Sequence, residues 1–193
     1  MFRETVLLDN CAWDILERRQ VDLVKERGED LDFTVSALGL IEIPPAFHPS
    51  EDARRVGEYA RGQLIALKAR PAVWFRFKDI DDPSTGDGGL GELQSDGSVK
   101  GGGFLTSVEG QTYADANKHR IGGSGGVKRM GSGLLKHQTD IDYGEWTAGL
   151  LLVTANFKDF KAGATAVDIR TWTSGSFGDF VRQARAKRRL ASQ

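Results

Sequence analysis

The chain has 193 residues, 39% of them hydrophobic and 27% charged, with 26 Lys plus Arg against 27 Asp plus Glu for a net charge of −1. A chain of this length buries roughly 70% of its unfolded surface without cross-links, so general disorder and a globally basic, nucleic-acid-coating protein are both excluded. One cysteine, Cys11, excludes an internal disulfide framework and a Cys-rich zinc site. His48, His119 and His137 lack metal-binding spacing, and no apolar run approaches the roughly 18 residues of a membrane span. Met1 to Glu4 opens a strand pattern rather than a signal peptide. The expectation is a reduced, cytoplasmic, soluble protein with no membrane partner.

Thr5 to Leu8 reads as a buried strand that ends on Asp9, with Asn10 as a cap. A helix is expected over Trp13 to Arg27, stopped by Gly28. Phe33 to Val35 reads as a strand, Ser36 as a cap, and Ala37 to Ile43 as a short helix ended by Pro44-Pro45. Ser50 caps the clearest helix, with an apolar stripe of Ala53, Val56, Ala60, Leu64 and Leu67 closed by Pro71. Ala72 to Ile80 alternates as a strand.

Between Gly86 and Gly133 lie 15 of the 24 glycines. Residues 92–95 and 98–100 flank Asp96-Gly97 as a hairpin, Ser107 to Ile121 reads as a helix, and Gly122 to Gly126 has linker composition. Thr139 then caps a short helix over Asp140 to Ala148. Leu150 to Thr154 is the most apolar strand, Ala166 to Trp172 a last one, and Ser176 with Asp179 opens a basic C-terminal helix. Short apolar strands separated by helices imply α/β with a parallel sheet. The domain reading is a core of residues 1–80 and 137–172, an insertion or lid at 81–136, and a basic helix or tail at 173–193.

Ligands of open α/β sheets gather beyond the carboxyl ends of the strands. Asp9, Glu42 and Asp159 fall where strands hand over to the next segment of chain, and Asp140 and Asp142 open the helix before Leu150. Carboxylates converging there need a cation to stay ionised, and hard oxygen ligands suit Mg²⁺ or Mn²⁺. Two such ions roughly 3.5–4 Å apart would clamp the oxygens of a phosphodiester.

Val6-Leu7-Leu8-Asp9, the segment Ser36 to Glu42, and Leu151 to Phe160 with Thr154, Asn156 and Asp159 resemble the ordered motifs of PIN-domain nucleases. The resemblance covers the two ends of the chain and not the glycine-rich middle. It implies a three-layer α/β/α sandwich around a mainly parallel sheet, and an Mg²⁺- or Mn²⁺-dependent endoribonuclease like the toxins of bacterial toxin–antitoxin pairs. By motif match Asp9, Glu42 and Asp159 are metal-binding and catalytic acids, with Asn156 and Thr154 in support. Asp140 and Asp142 compete for the family's third acid. Cys11 stands where the family commonly has a small polar residue, and is expected to pack as a small hydrophobe.

RNA needs cations outside the acids. Lys118, Arg120, Lys128, Arg129 and Lys136 form an acid-free basic stretch, and Arg182, Arg185, Lys187, Arg188 and Arg189 a second. Gly122 to Gly126 lacks a P-loop ending and reads as flexible loop. Trp74, Trp146 and Trp172 read as core or strand residues. Expected partners are RNA, an antitoxin protein and a second copy of the chain. The competing reading is a PIN-fold binding or scaffold module that does not cleave. A haloacid-dehalogenase-type phosphatase is set aside because Cys11 occupies the position of its second aspartate.

Overall fold

The computed structural model describes residues 3–75, 92–93, 99–100, 102–160 and 165–191. In chain order the elements are β1 (Glu4–Leu8), α1 (Asn10–Arg18), α2 (Leu23–Glu26), β2 (Leu31–Thr34), α3 (Ala37–Glu42), α4 (Glu51–Leu67), β3 (Glu92–Leu93), β4 (Val99–Lys100), α5 (Val108–Asn117), α6 (Gln138–Trp146), β5 (Leu151–Thr154), β6 (Ala166–Asp168) and α7 (Phe177–Ala191). Four strands pair in parallel in the order β2-β1-β5-β6.

Alternation along the strands divides the core in two. Val6, Leu8, Leu151 and Val153 point to one face, where they pack with Trp13, Leu16, Phe33, Val56, Ile169 and Phe177. Leu7 and Leu152 point to the other, against Tyr143, Trp146 and Phe160. Helices α1, α2, α4 and α7 thus cover the first face, and α6, with α3 and α5 packed on it, the second. A sheet buried on both faces needs continuous apolar strands, and Val6-Leu7-Leu8 and Leu151-Leu152-Val153 supply them. The architecture is mixed α/β, with helices on both sides of an all-parallel sheet, compatible with a three-layer α/β/α fold.

Several elements differ from expectation for local reasons. The helix expected over Trp13 to Arg27 is two helices. Gln20 adopts a left-handed φ of 50°, its backbone N–H bonds the Glu17 carbonyl, and its amide donates to the same oxygen. Tyr59 then holds the Val21 carbonyl and Gln63 accepts from the Leu23 N–H, which fixes the corner. Asp9, not Asn10, is the residue that caps α1; Asn10 is its first helical residue. The cap of α6 is His137, at φ 62°, while Thr139 is buried in the first turn. The last strand stops at Asp168, whose carboxylate accepts from the Arg170 N–H and turns the chain so that Trp172 packs inward.

In the middle of the chain, Ala72 bridges Ser36 and Trp74 bridges Phe104. The rest of the strand expected to run to Ile80 lies outside the described residues, as does the Asp96-Gly97 turn. The arms of that hairpin pair as Glu92 with Lys100 and Leu93 with Val99. Gly122 to Gly126 is not an open linker. Gly122 and Gly126, both at positive φ, close a 3-10 turn in which the Gly122 N–H bonds Lys136 O and the Lys128 N–H bonds Gly122 O. At the C-terminus, the Asp179 N–H donates to Ser176 Oγ, as the capping pattern requires. No helix among the described residues is long and apolar enough to cross a membrane.

The tightest approach between layers lies beside the acids. Tyr143, fully buried, donates its hydroxyl to the Leu8 carbonyl at 2.9 Å and lies directly over Gly39 of α3. A Cβ at Gly39 would run into that phenol. Gly39→Ala is therefore expected to cost about 1–3 kcal/mol, read as a lower denaturant midpoint with an unchanged slope. An unchanged midpoint would mean that the contact is not tight.

Candidate active site

Asp9 leaves β1 at the carboxyl edge of the sheet, its backbone N–H bonded to the Val153 carbonyl at 3.0 Å. Its backbone caps α1 but its side chain makes no cap hydrogen bond. The carboxylate turns instead toward β5: Thr154 Oγ1 donates to Oδ2 at 2.6 Å and the Cys11 thiol donates to the same oxygen at 2.9 Å. Thr154 in turn accepts from the Asn156 N–H at 2.9 Å, and the Cys11 sulfur from the Ala155 N–H at 3.1 Å. Burial raises the Asp9 carboxyl above its ordinary value, the two side-chain hydrogen bonds oppose it, and the charge of Asp140 adds to it.

Cys11 does more than pack, since its sulfur both donates to Asp9 and accepts from the Ala155 N–H. Burial first, then the neighbouring Asp9 charge, push its thiol up to about 12, so it stays protonated and serves as a donor.

Glu42 arrives from a different segment. Ser36 caps α3 by accepting from the Gly39 N–H at 3.0 Å, and Glu42 is the last residue of that short helix. Asn10 Nδ2 donates to Glu42 Oε2 at 3.0 Å, tying the end of α3 to the start of α1. Burial raises the Glu42 carboxyl, the Thr139 hydroxyl and the Asn10 amide oppose it, and the charges of Asp140 and Asp9 raise it further.

Of the two acids that compete at the start of α6, Asp140 presses on both Asp9 and Glu42. His137 Nδ1 lies 3.0 Å from its Oδ2. Asp142 serves the packing instead. Trp74 and Trp146 stack with centroids 3.5 Å apart, and their indole N–H groups donate to its two oxygens at 3.0 and 3.2 Å. Burial pushes Asp142 up to about 6 despite these bonds. Two residues apart on a helix, the acids point to nearly opposite sides.

Asp159 stands one step out. It lies in the 3-10 turn Phe157–Phe160, where Asn156 Nδ2 donates to its Oδ2 at 2.5 Å and the Tyr113 hydroxyl donates to its carbonyl at 3.4 Å. Its link to Asp9 runs through Asn156 and Thr154. Tyr113, on α5, is held up chiefly by burial, against the pull of Arg120 and with the charges of Asp140 and Asp159 adding. The glycine-rich middle thus supplies a wall of the acid region, a role that nothing in its composition signals.

The cations divide between two ends of the molecule. Arg120 lies beside Tyr113 and donates to Asn117 Oδ1 at 3.2 Å. Lys118 pairs with Asp115 at 3.3 Å, Arg129 donates to the Gly133 carbonyl at 2.7 Å, and Lys128 and Lys136 flank the closed glycine turn. In α7, Arg182 and Arg185 both grip Asp30, and Arg185 also reaches Glu4. Those two arginines fasten the amino edge of the sheet, opposite Asp9, and so do not belong to a rim around the acids.

Among the described residues, no three His, Cys, Asp or Glu side chains form a ready ligand set for a metal ion. The donors that do meet are hard oxygens. The Asn10 Oδ1 atom, held beside Glu42 by its own amide's bond, is buried without a hydrogen-bond partner. Such a set fits a small divalent cation by chemistry. The chain matches no protein-family model, no curated protein and no solved structure.

Raised carboxyls fix the sign of the pH response. Below the ordinary carboxylate range both states carry the proton; as pH rises from there, the unfolded chain ionises first and stability falls until the folded Asp9 and Glu42 ionise too. Asp9→Asn keeps one oxygen to accept from Cys11 and Thr154 while removing the buried charge. The variant is expected to melt a few degrees above the parent at pH 7.5, with the gap closing toward pH 4. Calorimetry that finds it less stable at pH 7.5 counts against a costly charge at Asp9.

Proposed function

We propose that this chain is a divalent-metal-dependent endoribonuclease of PIN type, with Asp9, Glu42 and Asp140 at its centre. One observation carries the reading: three acids from separate segments of the sequence converge at the carboxyl edge of a parallel sheet, closely enough that the charge of Asp140 raises the cost of ionising both Asp9 and Glu42. Folding tolerates such an arrangement when a cation or a substrate group offsets it. The PIN resemblance names the same edge, with Asp159 as a further metal-binding acid and Asn156 and Thr154 in support.

When bound, Mg²⁺ or Mn²⁺ supplies Lewis acidity that activates water toward phosphorus and steadies the departing oxygen. The side chains prepare the place. Thr154 and Cys11 fix Asp9 by donating to one oxygen, which leaves Oδ1 for a ligand. Asn10 orients Glu42, and His137 orients Asp140. Asn156 holds Asp159 against the same edge. Arg120, beside Tyr113, is the cation best placed to draw a phosphate toward acids that would otherwise repel it. A toxin role with an antitoxin partner, a homodimer and a cytoplasmic setting extend the reading through the family resemblance.

A second reading, a PIN-type module that binds without cleaving, is favoured by the absence of a ready three-residue ligand set among the described residues. A thermal-shift titration separates the two. Under the nuclease reading, Mn²⁺ raises the melting temperature of the native chain and leaves Asp9→Asn unmoved. Cleavage of single-stranded or structured RNA is then expected only with Mg²⁺ or Mn²⁺, and Asp9→Asn, Glu42→Gln and Asp140→Asn each lower it by about 100-fold or more. Cleavage that survives EDTA, or that persists in both the Asp9 and the Glu42 variants, rules this mechanism out.

A further inference from the structure

A cavity of about 710 Å³ opens directly beside Glu42 and Asn10, between the Pro44–Pro49 segment and the turn at Met130 to Ser132. Its size is that of a small-molecule site. The walls are apolar and unusually open for such residues: Phe47 is 87% exposed, Met130 48% and Ile41 44%. Among the described residues no Lys or Arg lines it, and the titratable groups that do are Glu42 and His48.

We infer that this cavity takes a nucleobase of the RNA strand whose phosphate is presented to Asp9 and Glu42, with Phe47 as the stacking face. The inference rests on the reading that RNA is brought to these acids. A phosphate is a poor occupant, because the cavity offers it a carboxylate and no cation. A flat, uncharged heterocycle joined to that phosphate suits such walls, with a π-face for the exposed Phe47 ring.

Glu42 and Asn10 border both the cavity and the acids, which sets the base next to the reacting phosphate rather than at a distance.

The test uses the full chain carrying Asp9→Asn and a fluorescein-labelled ribo-octanucleotide, read by anisotropy, with single abasic ribonucleotides placed along the strand in turn. One position is expected at which loss of the base weakens binding about tenfold. Phe47→Ala, at a side chain 87% exposed, is expected to erase that position's effect. Uniform binding along the abasic series overturns the inference, as does full retention of the effect in Phe47→Ala, the result for a face that docks a protein instead. Cleavage of the same strands by the native chain with Mn²⁺ is read separately. Base-dependent binding without cleavage retires the nuclease reading and leaves the base pocket standing. Cleavage with base-independent binding does the reverse, and no RNA binding at all overturns both.

Discussion

Negative charge kept from water at the end of a sheet is the constraint around which this edge of the molecule is arranged. Asp9 and Glu42 are both raised by burial, and each is raised again by Asp140. The surrounding residues limit this cost without removing it. Two donors meet on one oxygen of Asp9, and one amide meets Glu42. A fold selected for stability alone would place apolar side chains here, since they need no such support. The strand pairing makes the arrangement possible, because the register of Leu8 with Val153 sets Asp9 beside Thr154.

The same principle separates the two faces of α6. On one side Asp140 meets other acids; on the other Asp142 is enclosed by stacked indoles and held by their N–H groups. Both carboxyls are close in sequence, yet one presses on other acids and the other meets indoles. Tyr143, one residue beyond Asp142, packs over Gly39 and holds the end of β1 through Leu8. Helix α6 therefore acts as the spacer that fixes α3 and β1 relative to one another.

Much of the framework was legible because it depends on local pattern. Val6-Leu7-Leu8 and Leu151-Leu152-Val153 can hardly be anything but strands buried on both faces, and Ser36, Ser50 and Ser176 cap as their sequences suggest. The acids at the strand ends followed from that framework. What sequence could not tell was direction and partnership. What Asp142 faces depends on Trp74, far away in sequence, as well as on Trp146 of its own helix, and Thr139 lies inside a helix that His137 caps. The thiol of Cys11 looked apolar by type and is polar by position. The corner at Gln20 rests on Tyr59 and Gln63, some forty residues away, which no local pattern encodes. The large glycine content suggested looseness, yet at Gly122 to Gly126 it permits a closed turn.

The state of that single sulfur carries a practical consequence. Its proton is retained by enclosure and by the negative oxygen it faces, so an alkylating reagent meets an unreactive thiol while Asp9 is charged. Anything that cancels the charge on Asp9 also removes part of what holds the proton on sulfur. The rate of alkylation then becomes a gauge of how full or empty the neighbouring carboxylate is, built into the chain with no added label.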